Sequence, residues 1–309
     1  MIVDTHYHYI INMSEKAARS NLPLMMRIAN KMGVSQPDPE ELVKRAMETW
    51  GAGTGEKLIE RMDAGGIDVT VALSTDEYPN PIYTTESLKR SNKTLSEAAG
   101  KFPRRIIPLA ALDPRRPDAV ELARLYLDDY GMRGIKYHPD NGFDPSGSES
   151  YRVLEVLAKH KGILLTHTSP LNPPSRGKYA EPMLLADIGC DFPEITVIAA
   201  HMGGTINWRP WAALASVQPS LYGDLAMWDI FAYNRFDLFC RELRTLMDLV
   251  GPEKVLFGSD APIDMIVTPI EHWVQTIKNL PSKAPEGVHF TKDEVDMILG
   301  GNAAKILGL

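Results

Sequence analysis

Two histidines separated by one residue stand near the start of the chain, directly after its first apolar run. The sequence "MIVDTHYHYI" places His6 and His8 shortly after Met-Ile-Val. Because side chains alternate along an extended strand, the two imidazoles point to the same side. Imidazoles arranged in this way can bind a single metal ion at about 2.0–2.1 Å. An isolated His-x-His pair is weak evidence, so its meaning depends on what the rest of the chain supplies.

Other ionisable residues follow apolar runs at separate places in the chain. His167 lies in "LLTHTSP", His201 follows "VIAA", and Asp260 lies just beyond "VLFGS". "GIKYHP" supplies Lys136 and His138, again separated by one residue. Unpaired charges are costly in an apolar core, whereas these residue types at the strand ends of a barrel form metal sites. We therefore expect these side chains to converge on a divalent cation.

Short apolar runs alternate with longer amphipathic segments along the whole chain. Runs rich in Val, Ile and Leu predict buried parallel strands, and several amphipathic segments end in Gly, as helices often do. This alternation predicts an α/β fold, a single (β/α)8 TIM barrel over residues 1–309, with an open doubly wound sheet as the alternative. The predicted strands cover residues 1–3, 69–74, 106–112, 134–137, 163–166, 196–200, 221–225 and 255–258.

A long segment, residues 9–55, separates the first strand from the helix expected after it. The segment contains two amphipathic stretches, residues 17–32 and 39–50, and then "GAGTG". A βα loop of this length leaves a barrel at its catalytic face, so we interpret it as a helical cap insertion over the site. The alternative is an insertion that packs on the barrel without a role in binding.

Composition restricts the class of protein. The 309 residues carry a formal net charge of −7, which argues against a nucleic-acid surface. The sequence shows no apolar run of membrane-spanning length and no signal peptide pattern. Cys190 and Cys240 fit no metal-binding spacing and are interpreted as free thiols. We expect a soluble, cytoplasmic protein that acts on a small molecule.

The ordered set of motifs resembles the amidohydrolase superfamily. "DTHYH", "RGIKYHP", "AHMGG", "LFGSDAP" and "ILGGNAAKILGL" are similar to its amidohydrolase-2 branch, and the likeness runs over nearly the whole chain. That branch includes aminocarboxymuconate-semialdehyde decarboxylase, resorcylate-type decarboxylases and lactone or amide hydrolases. The resemblance implies that His6, His8 and His167 are metal ligands, with Asp260 as a further ligand or as the general base.

The resemblance also implies roles for two further residues. His201 resembles a histidine that either binds a second metal or acts on the substrate beside a single one. Lys136 lies where two-metal members carry a bridging carboxylated lysine, although decarboxylases of this branch commonly use one metal, which would make Lys136 a structural or substrate-facing cation. We expect one divalent ion, zinc first and manganese second. Family habit indicates a homodimer or homotetramer.

Several side chains near these motifs are candidates for supporting or contacting the substrate. His138 is either a substrate contact or a support for a neighbouring ligand. Trp208 and Arg209 could form a pocket wall with a cation for a carboxylate, and Trp228 follows the seventh strand at the same mouth. Aromatic residues in such positions more often serve packing. Asp224, in "YGDLA", could orient a ligand or line the pocket.

The predicted reaction is hydrolysis of a small carbonyl substrate, such as a lactone, amide or ester that bears a carboxylate. A divalent ion lowers the pKa of bound water to about 7, Asp260 would accept the water proton, and His201 would polarise the carbonyl. The alternative is non-oxidative decarboxylation of an aromatic or muconate-like acid. Gly204 stands where resorcylate-type decarboxylases typically carry an acidic residue, which counts against that subgroup. A barrel that binds a substrate without catalysis is a third class.

Overall fold

Eight parallel strands form one sheet in the computed structural model, which describes residues 1–171 and 174–309. Each strand pairs with the next one along the chain, and nearly all strand residues are buried, as expected when helices cover the sheet. The strands are β1 (Val3–His8), β2 (Val69–Leu73), β3 (Ile106–Ala111), β4 (Gly134–Tyr137), β5 (Ile163–His167), β6 (Thr196–Ala200), β7 (Leu221–Asp224) and β8 (Val255–Leu256).

Backbone hydrogen bonds between β1 and the end of β8 close the sheet into a barrel. The Thr5 amide donates to the Phe257 carbonyl at 2.9 Å, and the Asp260 amide donates to the His6 carbonyl at 2.9 Å. Closure leaves no free edge between the first and the last strand. The predicted (β/α)8 barrel is confirmed, and the open doubly wound sheet is excluded.

Helices follow the strands and bury their apolar faces against the outside of the barrel. Some begin with side-chain caps, such as the capping box of Thr291 and Glu294 at the helix that starts at Lys292. Within the described residues, none of the helices is long and apolar enough to cross a membrane. The helices are α1 (Glu15–Ser20), α2 (Leu22–Lys31), α3 (Pro39–Thr49), α4 (Glu56–Gly65), α5 (Thr85–Lys101), α6 (Ala119–Arg124), α7 (Ser148–Lys159), α8 (Ala186–Asp191), α9 (Trp208–Ala215), α10 (Trp228–Asn234), α11 (Phe236–Val250), α12 (Ile270–Lys278), α13 (Leu280–Lys283), α14 (Lys292–Asp296) and α15 (Asn302–Leu307).

Aliphatic side chains fill the lower part of the barrel interior. Alternate residues of the strands form this cluster, and Leu307 of the last helix packs against it. The next inward positions toward the carboxyl ends of the strands are polar, such as His167 beyond Leu165 on β5. The interior cluster includes Val3, Val69, Val71, Leu73, Ile107, Leu109, Ile163, Leu165, Ile198 and Leu256.

β1 is longer than predicted, and an irregularity in it determines which side chains face inward. The predicted strand ended at residue 3, whereas β1 continues to residue 8, so that His6 and His8 lie within the strand. Its pairing with β2 shifts between Asp4 and Tyr7, as in a β-bulge. Val3 packs in the barrel interior, but Tyr7 packs in the outer hydrophobic cluster. The bulge therefore turns both histidines, rather than the tyrosine between them, toward the interior.

Helices α1 to α3 form the insertion that was predicted for residues 9–55. The insertion packs against Ile230 of α10, which follows β7, and against Ile266, which follows β8. These contacts place the insertion on loops at the carboxyl ends of the strands. The sequence predicted a cap on this face. That the insertion covers a bound substrate stays a prediction. The insertion packs around a cluster of its own that includes Met25, Ile28, Leu42, Val43, Trp50, Ile230 and Ile266.

Candidate metal centre

Two imidazoles and a carboxylate meet at the mouth of the barrel. Nε2 of His6 lies 3.3 Å from Nε2 of His8. Oδ1 of Asp260 lies 3.1 Å from the first of these nitrogens and 3.2 Å from the second. The structure therefore brings together three of the residues that the sequence predicted as metal ligands, although 252 positions separate the carboxylate from the nearer histidine in sequence.

Asp224 determines how His6 presents its ring. Oδ2 of Asp224 lies 2.9 Å from Nδ1 of His6. A carboxylate oxygen accepts hydrogen bonds, so Nδ1 carries the hydrogen and the lone pair of Nε2 points toward the cluster. Burial is the main cause that lowers the pKa of His6 well below its usual value, and the charge of Lys136 adds to it. This carboxylate–histidine pair is the usual arrangement for a histidine that binds a metal.

Gly258 makes the contact between Asp224 and His6 possible. A Cβ atom at this position would lie 3.1 Å from Cβ of Asp224 and 3.2 Å from Cβ of His6. These distances are too short for ordinary packing, so a side chain here would push the two residues apart. Close packing against Asp224 and His6 therefore explains the glycine of "LFGSD", which the motif alone did not reveal.

Asp4 joins the two segments that carry the clustered residues. Its Oδ1 accepts hydrogen bonds from the amides of His6 at 3.1 Å and Ser259 at 2.9 Å, and its Oδ2 accepts one from the Ser259 hydroxyl at 2.6 Å. Burial raises the pKa of Asp4 to about 7. These bonds surround Asp260, whose φ of 55° is unusual for a residue with a side chain. The sequence showed Asp4 as the polar residue that ended an apolar run, and its role was missed.

The cluster has the donor set and charge that a divalent cation requires. Burial alone would raise the pKa of the Asp260 carboxyl, but the imidazoles of His6 and His8 lower it well below its usual value, so the carboxyl is ionised. Two imidazole nitrogens and a carboxylate oxygen within 3.3 Å of one another concentrate electron-rich atoms in a small space. A cation between them removes this repulsion, and nitrogen and oxygen ligands of this kind suit zinc or manganese.

Lys136 reaches the same cluster from β4. Its Nζ lies 3.3 Å from Nε2 of His6, and the side chain is buried. Burial lowers the pKa of Lys136 to about 8, so the amine is mainly protonated at pH 7. The structure thus places a positive charge beside the candidate ligands, where the sequence predicted either a bridging lysine or a cation that faces the substrate.

His167 and His201 form a second pair of rings. Nδ1 of His167 lies 3.1 Å from Nε2 of His201. The outer nitrogens face backbone carbonyls, His167 that of Ser169 and His201 that of Ala226. Because carbonyls accept hydrogen bonds, both outer nitrogens donate, and the two inner nitrogens share one proton at most. Burial lowers the pKa of both rings, to about 4 for His167 and about 3 for His201. Both nitrogens of His167 are engaged in this way, and its role as a ligand stays a prediction.

Trp228 and Asp224 hold the backbone of His201. The indole Nε1 of Trp228 donates to the His201 carbonyl at 3.0 Å, and Oδ1 of Asp224 accepts from the His201 amide at 2.9 Å. His201 has a φ of 69°, and these bonds stabilise that conformation. The side chain of Trp228 is buried. We therefore interpret Trp228 as a positioning residue rather than as the substrate contact that the sequence suggested.

His138 lies in the mouth beside two other histidines. Its ring stacks on that of His167 with centroids 5.3 Å apart, and the centroid of the His8 ring lies 6.1 Å away. Nδ1 of His138 lies 3.3 Å from Oδ1 of Asp140. Burial lowers the pKa of His138, so the ring is neutral. The structure places this predicted substrate contact within the histidine cluster.

Trp208 and Arg209 are engaged elsewhere. Nε1 of Trp208 donates to Oε2 of Glu242 at 2.8 Å, and the Arg209 guanidinium lies over the Trp208 ring at 4.4 Å. Because Glu242 belongs to α11, these contacts place both side chains between α9 and α11 on the outside of the barrel. The structure does not bring this pair to the metal cluster, and we do not include it in the proposed site.

Comparison with known proteins gives a family and a set of related folds. The family model described as Amidohydrolase matches residues 3–309. The crystal structure of 5-carboxyvanillate decarboxylase from Sphingomonas paucimobilis is 18% identical over 100% of this chain and 99% of its own, with a TM-score of 0.65. A 5-carboxyvanillate decarboxylase from Novosphingobium aromaticivorans, complexed with manganese and 4-hydroxy-3-methoxy-5-nitrobenzoic acid, is 15% identical over 100% and 96%, with a TM-score of 0.66.

A third structure agrees with these two. A dihydroxybenzoic acid decarboxylase from Polaromonas, with bound manganese and the inhibitor 2-nitroresorcinol, is 16% identical over 100% of this chain and 97% of its own, with a TM-score of 0.66. At such low identities these likenesses show a shared fold. The family match covers almost the whole chain and includes every residue of the cluster described above.

Proposed function

The chain belongs to the amidohydrolase family, and from this premise we propose that it is a metal-dependent decarboxylase of a small aromatic or muconate-like carboxylic acid. The observation that carries the proposal is the buried Lys136 ammonium beside the cluster of His6, His8 and Asp260. A bound divalent ion and an ammonium together present two positive centres, which suit a substrate carboxylate. The solved structures with this fold include decarboxylases of aromatic acids.

The metal would be held by His6, His8 and Asp260, with His167 as the further predicted ligand. When bound, it would supply positive charge for the substrate carboxylate and a neighbouring oxygen. Asp224 holds the His6 ring with its lone pair toward that position. Lys136 faces the same space and would attract the carboxylate.

Decarboxylation needs a proton at the carbon that loses carbon dioxide. The carbon–carbon bond breaks, its electron pair stays on the substrate carbon, and that carbon then takes up a proton. Asp260 is ionised, and its Oδ1 faces His6 and His8. Its other oxygen could accept a proton from a substrate hydroxyl and return it to the carbon. Because Nδ1 of His201 donates to the Ala226 carbonyl, its Nε2 would accept a hydrogen bond beside the reacting group.

Hydrolysis, which the sequence ranked first, becomes the second candidate. The comparisons favour decarboxylation, because the related solved structures named above are decarboxylases. The departure at Gly204 stands, since its φ is 79° and a Cβ there would lie 3.0 Å from Oγ of Ser169. A side chain at this position would therefore be strained, and the glycine counts against the resorcylate-type subgroup but not against the muconate-like acids.

Manganese is the first metal to test. Two of the related structures contain manganese, whereas the sequence had ranked zinc before manganese. A carboxylate ligand and substrate oxygens suit manganese, and the imidazoles suit both ions. The homodimer or homotetramer and the cytoplasmic location stay predictions of the sequence.

The experiment is a parallel screen of two reactions. Protein purified without added metal is loaded with manganese or zinc and incubated with 5-carboxyvanillate, dihydroxybenzoates, a muconate-like acid and a set of lactones. Released carbon dioxide and released acid are recorded together, with Asp260→Asn as the inactive control. Carbon dioxide from an aromatic or muconate-like acid supports the proposal. Acid release from a lactone without carbon dioxide from any acid would replace it with the hydrolase.

A further inference from the structure

A histidine at the mouth of the barrel, directly after β4, has a ring nitrogen that does not belong to the metal cluster. His138 comes directly after β4, and its ring stacks on His167 with an interplanar angle of 20°. The centroid of the His8 ring lies 6.1 Å from that of the His138 ring. A substrate that reaches the metal ligands therefore passes next to His138.

Asp140 determines which nitrogen of His138 carries the hydrogen. Nδ1 lies 3.3 Å from Oδ1 of Asp140, and a carboxylate oxygen accepts hydrogen bonds, so Nδ1 is the donor. With the hydrogen on Nδ1, Nε2 presents its lone pair. This nitrogen is buried and has no hydrogen-bond partner among residues 1–171 and 174–309. Buried polar atoms normally have a partner, so a group from outside the chain is expected to satisfy Nε2.

Building on the proposed function, we infer that Nε2 of His138 accepts a hydrogen bond from a hydroxyl or amino group of the substrate. His138 is then a specificity-determining residue, and Asp140 is the residue that positions it. The inference adds a requirement to the proposed reaction. An acid that carries a hydrogen-bond donor is bound in preference to an acid of the same size that lacks one, and this preference depends on His138.

The test uses two acids that differ in one donor. Binding of 2-hydroxybenzoate and 2-fluorobenzoate to the manganese-loaded protein is measured by titration calorimetry, because fluorine is close to a hydroxyl in size but cannot donate. In the proposed reaction the hydroxyl would also contact the bound metal. The preference is therefore compared between wild type and His138→Leu, which isolates the part due to His138. We expect the substitution to reduce the preference by roughly 10-fold to 100-fold, as when a buried acceptor loses its donor.

Two further variants guard against a simple loss of structure. His138→Gln places an amide oxygen near the position of Nε2, and we expect it to restore part of the preference. Asp140→Asn offers an amide donor to Nδ1, which allows the ring hydrogen to move to Nε2, and we expect the preference to fall. The affinity for manganese alone is measured in each variant and should stay at the wild-type value, because His138 does not belong to the ligand cluster.

The outcomes separate this inference from the proposed function. An equal preference in wild type and in His138→Leu overturns the inference and leaves the decarboxylase standing. A preference that His138→Gln restores and His138→Leu loses supports it. If neither acid binds to the manganese-loaded wild type, the inference falls, whereas the decarboxylase is judged separately by the carbon dioxide screen described above.

Discussion

Replacing Asp224 by Asn changes the hydrogen that His6 carries while it keeps the shape of the side chain. Oδ1 of Asp224 accepts from the amides of His201 at 2.9 Å and Ala226 at 3.1 Å, and Oδ2 faces Nδ1 of His6 at 2.9 Å. In the Asn variant, the remaining oxygen still serves the two amides, so the NH2 group faces Nδ1. An NH2 group donates, which favours the His6 ring with its hydrogen on Nε2. That hydrogen occupies the position where the cation binds.

The size of the effect follows from the loss of this one supporting contact. Removing a carboxylate that supports a metal-binding histidine typically weakens metal affinity by about 10-fold to 100-fold. That range corresponds to about 1.4–2.8 kcal/mol of binding free energy at 25 °C. The fold is expected to survive, because Asn has nearly the same volume and the backbone bonds of the β7 loop remain.

The assay is a calorimetric titration of metal-free protein with manganese, accompanied by circular dichroism as a check on the fold. Asp68→Asn is the matched control, because Asp68 accepts a backbone hydrogen bond from Ile2 at 2.7 Å but precedes β2 at the opposite end of the barrel. The control should bind manganese as wild type does. An Asp224→Asn protein that is folded and binds manganese with wild-type affinity would refute the reasoning about His6.

Three further predictions concern the same centre. Gly258→Ala places a methyl group 3.1 Å from Cβ of Asp224, so manganese affinity and the melting temperature should both fall; a variant with unchanged calorimetric values would contradict the steric role of the glycine. Ser259→Ala removes the 2.6 Å hydrogen bond to buried Asp4 and should lower the free energy of unfolding, measured by urea titration, by about 1–3 kcal/mol. A loss below about 0.5 kcal/mol would contradict a stabilising role for this hydrogen bond. Manganese at about 100 times its dissociation constant should stabilise the fold by about 2.7 kcal/mol over chelator-treated protein, and equal melting curves would count against a site in the folded state.

The barrel could be predicted from sequence because its strands are short apolar runs that alternate with amphipathic segments. The prediction went wrong at β1, where Asp4, Thr5 and His6 look like the end of a strand. All three are buried. Asp4 and Thr5 bond to Ser259 and Phe257, and the His6 ring bonds to Asp224, all more than 200 positions away. A local pattern cannot show that a polar residue has a distant partner, and a bulge leaves no clear mark in the spacing of apolar residues.

The candidate site could be predicted as a set of residue types, but not as a geometry. The positions of His6, His8 and Asp260 at strand ends were enough to bring them together, since the carboxyl ends of all strands meet at one mouth. The pairing of His167 with His201 depends on which carbonyl each ring faces, and rotation of a side chain cannot be read from sequence. Trp208 and Arg209 follow His201 closely in the chain, but their contacts with Glu242 of α11 depend on packing between helices, which the sequence does not show.

The most direct test of the central claim is a crystal structure of the protein grown with manganese, with anomalous scattering recorded to locate the ion. The account predicts one strong peak in contact with Nε2 of His6, Nε2 of His8 and a carboxylate oxygen of Asp260. A peak bound by other residues, or the absence of any peak at this mouth at saturating manganese, would contradict it.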